Sequence, residues 1–297
     1  MKSTRLFILT LLAMIAFASN SLLCRAALKQ TSIDPATFTF VRIFCGAVAL
    51  WLIMKMRHAS AVAAVYPPRR SPKAYDRRIH GSWPSALALF VYAAAFSFAY
   101  VDLSAGTGAL LLFGAVQATM ILWGLHKGER LDAIQIAGFV VAVSGFVVLV
   151  FPGLSAPPLV GSILMLGAGV AWGIYSLRGK REKNPASVTA GNFVRAVPFA
   201  AAVSITFVQW AHVDLVGVGY AIISGAITSG LGYVIWYSAL PDLKAASAAT
   251  VQLSVPVLAA AGGILFLGEP LTLRYLLASV AILGGITLVV LEKNRAP

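Results

Sequence analysis

Charged side chains are scarce in this sequence of 297 residues: Asp, Glu, Lys and Arg make up 11% of it, and only 10 residues are acidic. A soluble domain carries about 25% charged residues. Hydrophobic residues make up 59% of the chain, and its mean hydropathy is +0.86. The chain therefore has too few polar side chains to cover a water-soluble domain, and we expect an integral membrane protein.

Cysteine and histidine are also rare, with 2 and 4 residues. Cys24 and Cys45 lie inside apolar runs, where we expect them to be buried as small hydrophobic residues and not paired in a disulfide. The histidines are scattered and show no metal-ligand spacing. The sequence has no Gly-rich phosphate loop, no HExxH motif and no serine with a partnered histidine. We therefore expect a protein that is not an enzyme and that holds no metal and no cofactor.

Long apolar runs, separated mostly by short loops, make up the rest of the chain. A helix that spans a membrane needs about 20 predominantly apolar residues, and ten runs approach that length. The predicted fold is therefore all-α, an integral membrane protein with ten transmembrane helices. The ten runs lie approximately at 4–28, 36–56, 83–102, 106–126, 132–151, 158–178, 188–209, 215–239, 245–267 and 272–291.

An internal repeat divides the chain into two related halves. Residues 242–290 match residues 102–150 without a gap, with 11 identities in 49 positions. The clearest shared segment is Gly128-Glu129-Arg130-Leu131 against Gly268-Glu269-Pro270-Leu271, each between two apolar runs. We expect these turns to mark the edge of the membrane. The predicted halves are residues 1–151 and 158–292, with five helices each.

Lysine and arginine predict the orientation of these helices. The net charge of +13 lies mainly in the loops, so it does not indicate a nucleic-acid partner. With ten spans, 18 of the 23 basic residues lie on the side of the termini and 3 on the other side. Cytoplasmic loops collect these residues, so both termini are predicted to be cytoplasmic, in a bacterial-type inner membrane. The basic loop 57–82 is expected to meet anionic lipid headgroups, or alternatively to have a regulatory or partner-binding role.

Because five is an odd number, the second half is predicted to enter the membrane upside down relative to the first. Inverted repeats are typical of secondary transporters, whose substrate site lies near the midplane between the halves. All ten acidic residues fall at the ends of spans or in loops. A proton relay usually needs an ionisable group within the membrane, so the sequence favours a neutral or zwitterionic substrate moved without proton coupling.

The motifs resemble those of the drug/metabolite transporter superfamily, EamA type. The resemblance rests on the two Gly-Glu-x-Leu turns, on Arg42 and Arg195 in the second helix of each half, on Gly230-x-Gly232-Tyr233-x-x-Trp236, and on Pro256. One departure is Val116, at a position where the family often has a proline. This region and the basic second loop resemble the YddG-type aromatic amino-acid exporters. The resemblance implies export of amino acids through a cavity between helices 1, 3, 4, 6, 8 and 9.

The predicted substrate-binding residues are aromatic and polar side chains on these helices, together with small residues and one proline. Aromatic walls with a few amide and hydroxyl groups suit an amino acid with an apolar side chain; ordinary helix packing is the alternative. Pro256 is expected to break the hydrogen bond to the Gln252 carbonyl. The set is Phe17, Asn20, Ser21, Tyr92, Phe96, Tyr100, Gly114, Gln117, Trp172, Tyr175, Ser176, Tyr233, Trp236, Tyr237, Gln252, Ser254 and Pro256.

Arg42 and Arg195 are the only charges in the middle of apolar runs. Either could hold a substrate carboxylate. A structural role, through snorkelling or through backbone carbonyls of a neighbouring helix, is the interpretation we favour, because a symmetric pair indicates scaffold. Other substrates on the same fold, namely cationic drugs, nucleosides or phosphorylated sugars, remain alternatives. A membrane enzyme or a lipid-handling scaffold would need polar clusters that the sequence does not display.

Overall fold

The computed structural model describes residues 2–64, 80–128, 130–151, 156–179, 185–243 and 251–292. These residues form helices and short turns, without a strand among them. The helices are α1 (Lys2–Gln30), α2 (Pro35–Ala64), α3 (Trp83–Ala99), α4 (Ala105–His126), α5 (Ala133–Val150), α6 (Leu159–Gly179), α7 (Pro185–Thr206), α8 (Leu215–Ala239), α9 (Ser254–Leu267) and α10 (Leu273–Glu292).

Seven of these helices are long and apolar enough to cross a membrane, and α3, α9 and α10 contain shorter apolar stretches of 10–17 residues. The chain is therefore a multi-pass membrane protein. Each predicted apolar run overlaps one helix, although α2 extends to Ala64 and so into the predicted loop 57–82. The remainder of that loop up to residue 79, with most of its basic residues, lies outside the described residues, as do residue 129 and segments 152–155, 180–184 and 244–250.

Two matched glycines of the repeat end two matched helices. Gly128 follows α4 with φ 90° and Gly268 follows α9 with φ 63°. Glycine adopts this left-handed conformation without the steric strain that a Cβ brings, so it commonly follows the last turn of a helix. The next helix after α4 begins with a capping box, in which Asp132 and Gln135 bond each other's backbone N–H groups. The predicted turns between these apolar runs are therefore helix stops.

Helix α8 is not a regular α-helix throughout. Its central residues, Ser224–Leu231, form a π-helical stretch between two α-helical segments. The stretch is rich in small residues, and a Cβ on Gly225 would clash with the backbone oxygen of Arg42 in α2. Backbones of α2 and α8 therefore approach closely here, as small residues permit in membrane helices. Widened turns of this kind are frequent at functional sites.

Corresponding helices of the two halves of the chain make corresponding contacts. Helix α2 packs on α7, and α5 packs on α10. Helix α3 packs on α6 and α7, while α8 packs on α1 and α2; α4 packs on α6, while α9 packs on α1. If each helix is replaced by the one five places along the chain, the α2–α7 and α5–α10 contacts map onto themselves and the other contacts map onto one another. This exchange is the pattern expected of two related halves that face each other.

The α5–α10 contact yields a stability prediction. A Cβ on Gly285 would meet the backbone oxygen of Gly138 and would lie 2.7 Å from the backbone nitrogen of Ala142. We expect Gly285→Ala to lower the free energy of unfolding in detergent by about 1–3 kcal/mol, because neither backbone can yield without parting the helices. The matched control is Gly284→Ala, since nothing lies within 4 Å of that position. Equal stability of the two variants would contradict this packing.

Candidate functional site

Five helices meet around a small central cavity that their side chains nearly fill, with a volume of about 10 Å³. The lining comes from α1, α3, α4, α6 and α8, whereas α9, which the family resemblance implied, contributes none of the described lining residues. Seven of the predicted site residues line this cavity. The complete lining is Phe17, Asn20, Ser21, Tyr92, Phe96, Leu112, Phe113, Trp172, Thr228 and Tyr233.

Aromatic rings form most of the cavity wall. The indole of Trp172 on α6 contacts the rings of Tyr92 and Tyr233, each with a centroid separation of 4.8 Å. Phe17 on α1 packs edge-on against Trp172 at 6.3 Å and against Tyr233 at 5.9 Å. Trp236 on α8 meets Phe17 at 5.9 Å. The rings come from both halves of the chain, and Trp172 lies where they converge.

Polar side chains connect the walls at one side of the cavity. The Asn20 oxygen accepts hydrogen bonds from Ser224 Oγ at 2.7 Å and from Thr228 Oγ1 at 3.1 Å. The Asn20 amide nitrogen donates to the Tyr92 hydroxyl at 3.4 Å. Ser21 also lines the cavity with a buried hydroxyl. Both Ser224 and Thr228 belong to the π-helical stretch of α8, so that irregular segment supplies part of the polar wall.

Arg42, for which the sequence favoured a structural role and left binding of a substrate carboxylate as the alternative, lies beside this cavity. It is fully buried on α2, and its guanidinium carbon lies 4.8 Å from the Phe96 ring centroid and 5.3 Å from that of Tyr92. Its Nη2 donates to the Tyr92 hydroxyl at 3.0 Å, and its Nε donates to Ser229 Oγ at 3.2 Å. Arg42 therefore lies one layer behind the ring wall. A positive charge in the middle of an apolar run is the signal that singled it out in the sequence.

Arg195 has different surroundings, although it occupies the matching position in the second half. It is half-buried, and its Nη1 donates to the Gly191 carbonyl of its own helix at 3.0 Å. The two arginines are therefore not structurally equivalent. The structural interpretation rested on the symmetry of the pair, and their contacts in the structure do not share that symmetry.

Two larger mouths flank the central cavity. The first has a volume of about 250 Å³ and includes His80, Ser85, Tyr175, Arg178 and Tyr237 in its lining. The second, about 350 Å³, lies at the other end of α3 and α4 and includes Asp102, Glu269 and Tyr275. Tyr175 stacks on Trp172 at 5.4 Å, so the two rings separate the first mouth from the centre. The central cavity thus lies between two openings.

A buried ion pair lies beside the second mouth. Arg25 Nε lies 3.1 Å from Glu269 Oε1, with side-chain exposures of 11% and 5%. Arg25 Nη1 also donates to the carbonyls of Tyr100 and Val101, at the end of α3. Glu269 Oε2 accepts from the Ala105 N–H, the first residue of α4, at 2.8 Å. The glutamate of this repeat turn, expected only to mark the membrane edge, holds α1, α3 and α4 together.

The other predicted site residues have different surroundings. Tyr100 is buried, packs on Phe96 and donates to the Ala105 carbonyl. Gly114 faces the Phe146 ring and so serves the α4–α5 contact. Ser254 is exposed and donates to the Val251 carbonyl. Gln117 and Gln252 are buried, Ser176 is half-buried, and Tyr237 lines the first mouth.

Pro256 lies in the first turn of α9. The helical residues 251–252 are followed by a turn at Leu253, and helix resumes at Ser254. The helix is therefore interrupted just ahead of the proline, as its missing N–H predicts. Pro256 itself is buried, and its carbonyl accepts a hydrogen bond of 3.4 Å from the Tyr275 hydroxyl of α10.

A multi-pass helical protein with a central cavity between two mouths has the architecture of a membrane transporter. The model of the EamA-like transporter family matches the chain twice, over residues 4–151 and 159–291. The protein belongs to this family, and it is a transporter, not an enzyme.

Other proteins are similar to this chain over all or part of its length. An uncharacterized protein of Pseudomonas aeruginosa is 53% identical over 97% of this chain and 96% of its own length. The threonine/homoserine exporter RhtA of Escherichia coli K12 is 35% identical over 46% of this chain and 48% of its own. A solved crystal structure matches with a TM-score of 0.62 over 99% of both chains, at 15% identity, which shows a shared fold.

Proposed function

We propose that this transporter exports aromatic and other neutral amino acids across the inner membrane by alternating access. The observation that carries the proposal is the central cavity, whose wall combines Phe17, Trp172 and Tyr233 with polar Asn20 and Ser21. Aromatic rings favour an apolar side chain, and the amide and hydroxyl groups suit the ammonium and carboxylate groups of an amino acid. The similarity to a threonine/homoserine exporter supports the same substrate class.

The architecture proposed for this function is a pair of inverted five-helix halves, residues 1–151 and 158–292, with both termini in the cytoplasm. Three observations support it. The family model matches each half separately. Contacts made by a helix of one half are matched by contacts of the corresponding helix of the other half. With ten spans, the basic residues are concentrated on the side of the membrane that holds both termini, and cytoplasmic loops collect such residues. In this orientation the first mouth faces the cytoplasm and the second faces outward.

We further propose that export does not require proton antiport. None of the described residues that line the central cavity is acidic. Glu269 is the buried carboxylate of the described part of the chain, and it is neutralised by Arg25 beside the second mouth. A proton carrier in such transporters is usually an unpaired intramembrane carboxyl group. The amino acid would then move down its own gradient.

A whole-cell assay tests the substrate class. Cells that express the protein are loaded with dipeptides, which peptidases convert to free amino acids, and release into the medium is followed over time. We expect faster release of phenylalanine, tryptophan and threonine than from cells with an empty vector. Unchanged release of every amino acid, at confirmed membrane expression, would contradict the proposal and favour export of other metabolites or drugs.

A further inference from the structure

We propose that Arg42, Tyr92 and Asn20 form an anion subsite that binds the carboxylate of the substrate, with Arg42 supplying the countercharge. The inference rests on the proposed function, because it assumes an amino-acid substrate. It goes further because it names the charged residue, Arg42, that binds the carboxylate of the substrate. It also predicts that related amines and amides, which lack this group, are poor substrates.

The first argument is the incomplete neutralisation of Arg42. Its side chain is fully buried, yet the salt bridge found among the described residues is that of Arg25 with Glu269. Among the described residues, the groups recorded against the Arg42 guanidinium are uncharged, including two hydroxyls and two ring faces. A buried ion without a countercharge is costly unless something compensates it. Charges within membrane helices therefore often mark substrate pathways.

The second argument is an unused donor. A guanidinium has five N–H donors in a planar fork that matches a carboxylate. Arg42 uses Nε for Ser229 and Nη2 for Tyr92, but its buried Nη1 has no hydrogen-bond partner in the described part of the chain. Arg195, at the matching position, bonds its own helix through Nη1. The open donor is thus a feature of the arginine beside the central cavity.

The third argument concerns the Tyr92 hydroxyl. It accepts hydrogen bonds from Arg42 Nη2 at 3.0 Å and from Asn20 Nδ2 at 3.4 Å. A hydroxyl has two acceptor lone pairs and one proton to donate. With its lone pairs turned towards these two donors, the Tyr92 hydroxyl keeps its own proton to donate, either to the neighbouring Tyr233 side chain or to a ligand in the cavity that both residues line. The hydrogen bond from the guanidinium polarises the Tyr92 hydroxyl and so makes it a stronger donor towards an anion.

The cavity explains how the carboxylate could reach this subsite. Phe96 lies against the guanidinium and also lines the cavity. A movement of this one ring would open Arg42 to a substrate that enters the cavity. The carboxylate would then accept from Arg42 Nη1 and from the Tyr92 hydroxyl, while the substrate side chain would contact the rings of Trp172 and Phe17.

Competition assays in proteoliposomes test the subsite. Efflux of labelled L-phenylalanine is inhibited by unlabelled L-phenylalanine or by L-phenylalaninamide, which has the same shape without the acid charge. In the wild type we expect the amide to compete about 10- to 100-fold more weakly, which is the range for hydrogen bonds to charged groups. In Arg42→Gln the two competitors should become equivalent within about threefold, because binding of the acid weakens. Arg42→Lys should retain most of the preference.

The controls separate recognition from folding. Arg195→Gln removes the matching arginine and should keep the wild-type preference for the acid. Tyr92→Phe keeps the ring and should lose part of the preference, and this variant decides the question if Arg42→Gln does not fold. A wild-type preference in Arg42→Gln, or in Tyr92→Phe when Arg42→Gln is unfolded, would overturn the subsite alone. Absence of amino-acid flux in the wild type would overturn the proposed function with it.

Discussion

Glu269→Gln is expected to destabilise the protein by about 3–5 kcal/mol, the range found when one partner of a buried ion pair is removed. The substitution leaves Arg25 charged and buried, with an amide where the carboxylate stood. The Ala105 N–H at the start of α4 also loses its charged acceptor. A negatively charged acceptor is favoured there, because the N-terminus of a helix carries a partial positive charge. Unfolding in mild detergent, followed by intrinsic fluorescence against temperature or denaturant, measures the loss.

Asp102→Asn is the matched control for this prediction. Asp102 lines the same mouth but is exposed, so its neutralisation should change stability by less than about 0.5 kcal/mol. Adding Arg25→Met to Glu269→Gln should recover part of the stability, because the uncompensated charge is removed. A Glu269→Gln variant as stable as the control would show that the pair does not hold the helices together.

Trp172→Ala is expected to lower phenylalanine efflux at low substrate concentration by about tenfold or more. The substitution removes contacts with Phe17, Tyr92 and Tyr233 and leaves a void at the point where the rings converge. Aromatic pairs add about 0.5–1.5 kcal/mol beyond the area they bury. The loss should therefore be greater for phenylalanine than for threonine. Initial rates in proteoliposomes at several concentrations give the KM for each.

Trp51→Ala is the control for the loss of an indole. Trp51 lies on α2 with 42% exposure, away from the cavity lining, and its removal should leave both KM values near those of the wild type. Trp172→Phe, which keeps a ring, should lie between the wild type and Trp172→Ala. If Trp172→Ala folds and reduces phenylalanine and threonine transport equally, the aromatic wall does not select the side chain.

The sequence was sufficient to predict the helical elements, because a helix in lipid must be apolar over most of its length. Each predicted run overlaps a helix of the structure. Gly128 and Gly268 could be recognised as helix ends from the local sequence alone. Both have a positive φ, which glycine tolerates and which commonly follows the last turn of a helix. One discrepancy is at α2, which continues to Ala64 beyond the predicted boundary at residue 56. Its last residues are of mixed polarity, so hydropathy did not locate the end.

The partners of individual side chains were less predictable, because they depend on contacts between distant helices. Glu269 was read as part of a turn, and its bond to Arg25 joins residues 244 positions apart. Arg42 and Arg195 looked alike in sequence, but only Arg42 lies against rings that line the cavity. Ser254 was expected near the cavity through its proximity to Pro256, but it is exposed. In each case the orientation of the helix decided the contact.

The most direct test of this account is efflux of amino acids from proteoliposomes that contain only the purified protein. The vesicles are loaded with labelled phenylalanine, tryptophan or threonine, and release is measured with and without a pH gradient. We expect protein-dependent release of phenylalanine and tryptophan at the same rate under both conditions, since no acidic residue is described in the cavity lining. Protein-dependent release that occurs only with the pH gradient, or no release of any of the three, would contradict the account.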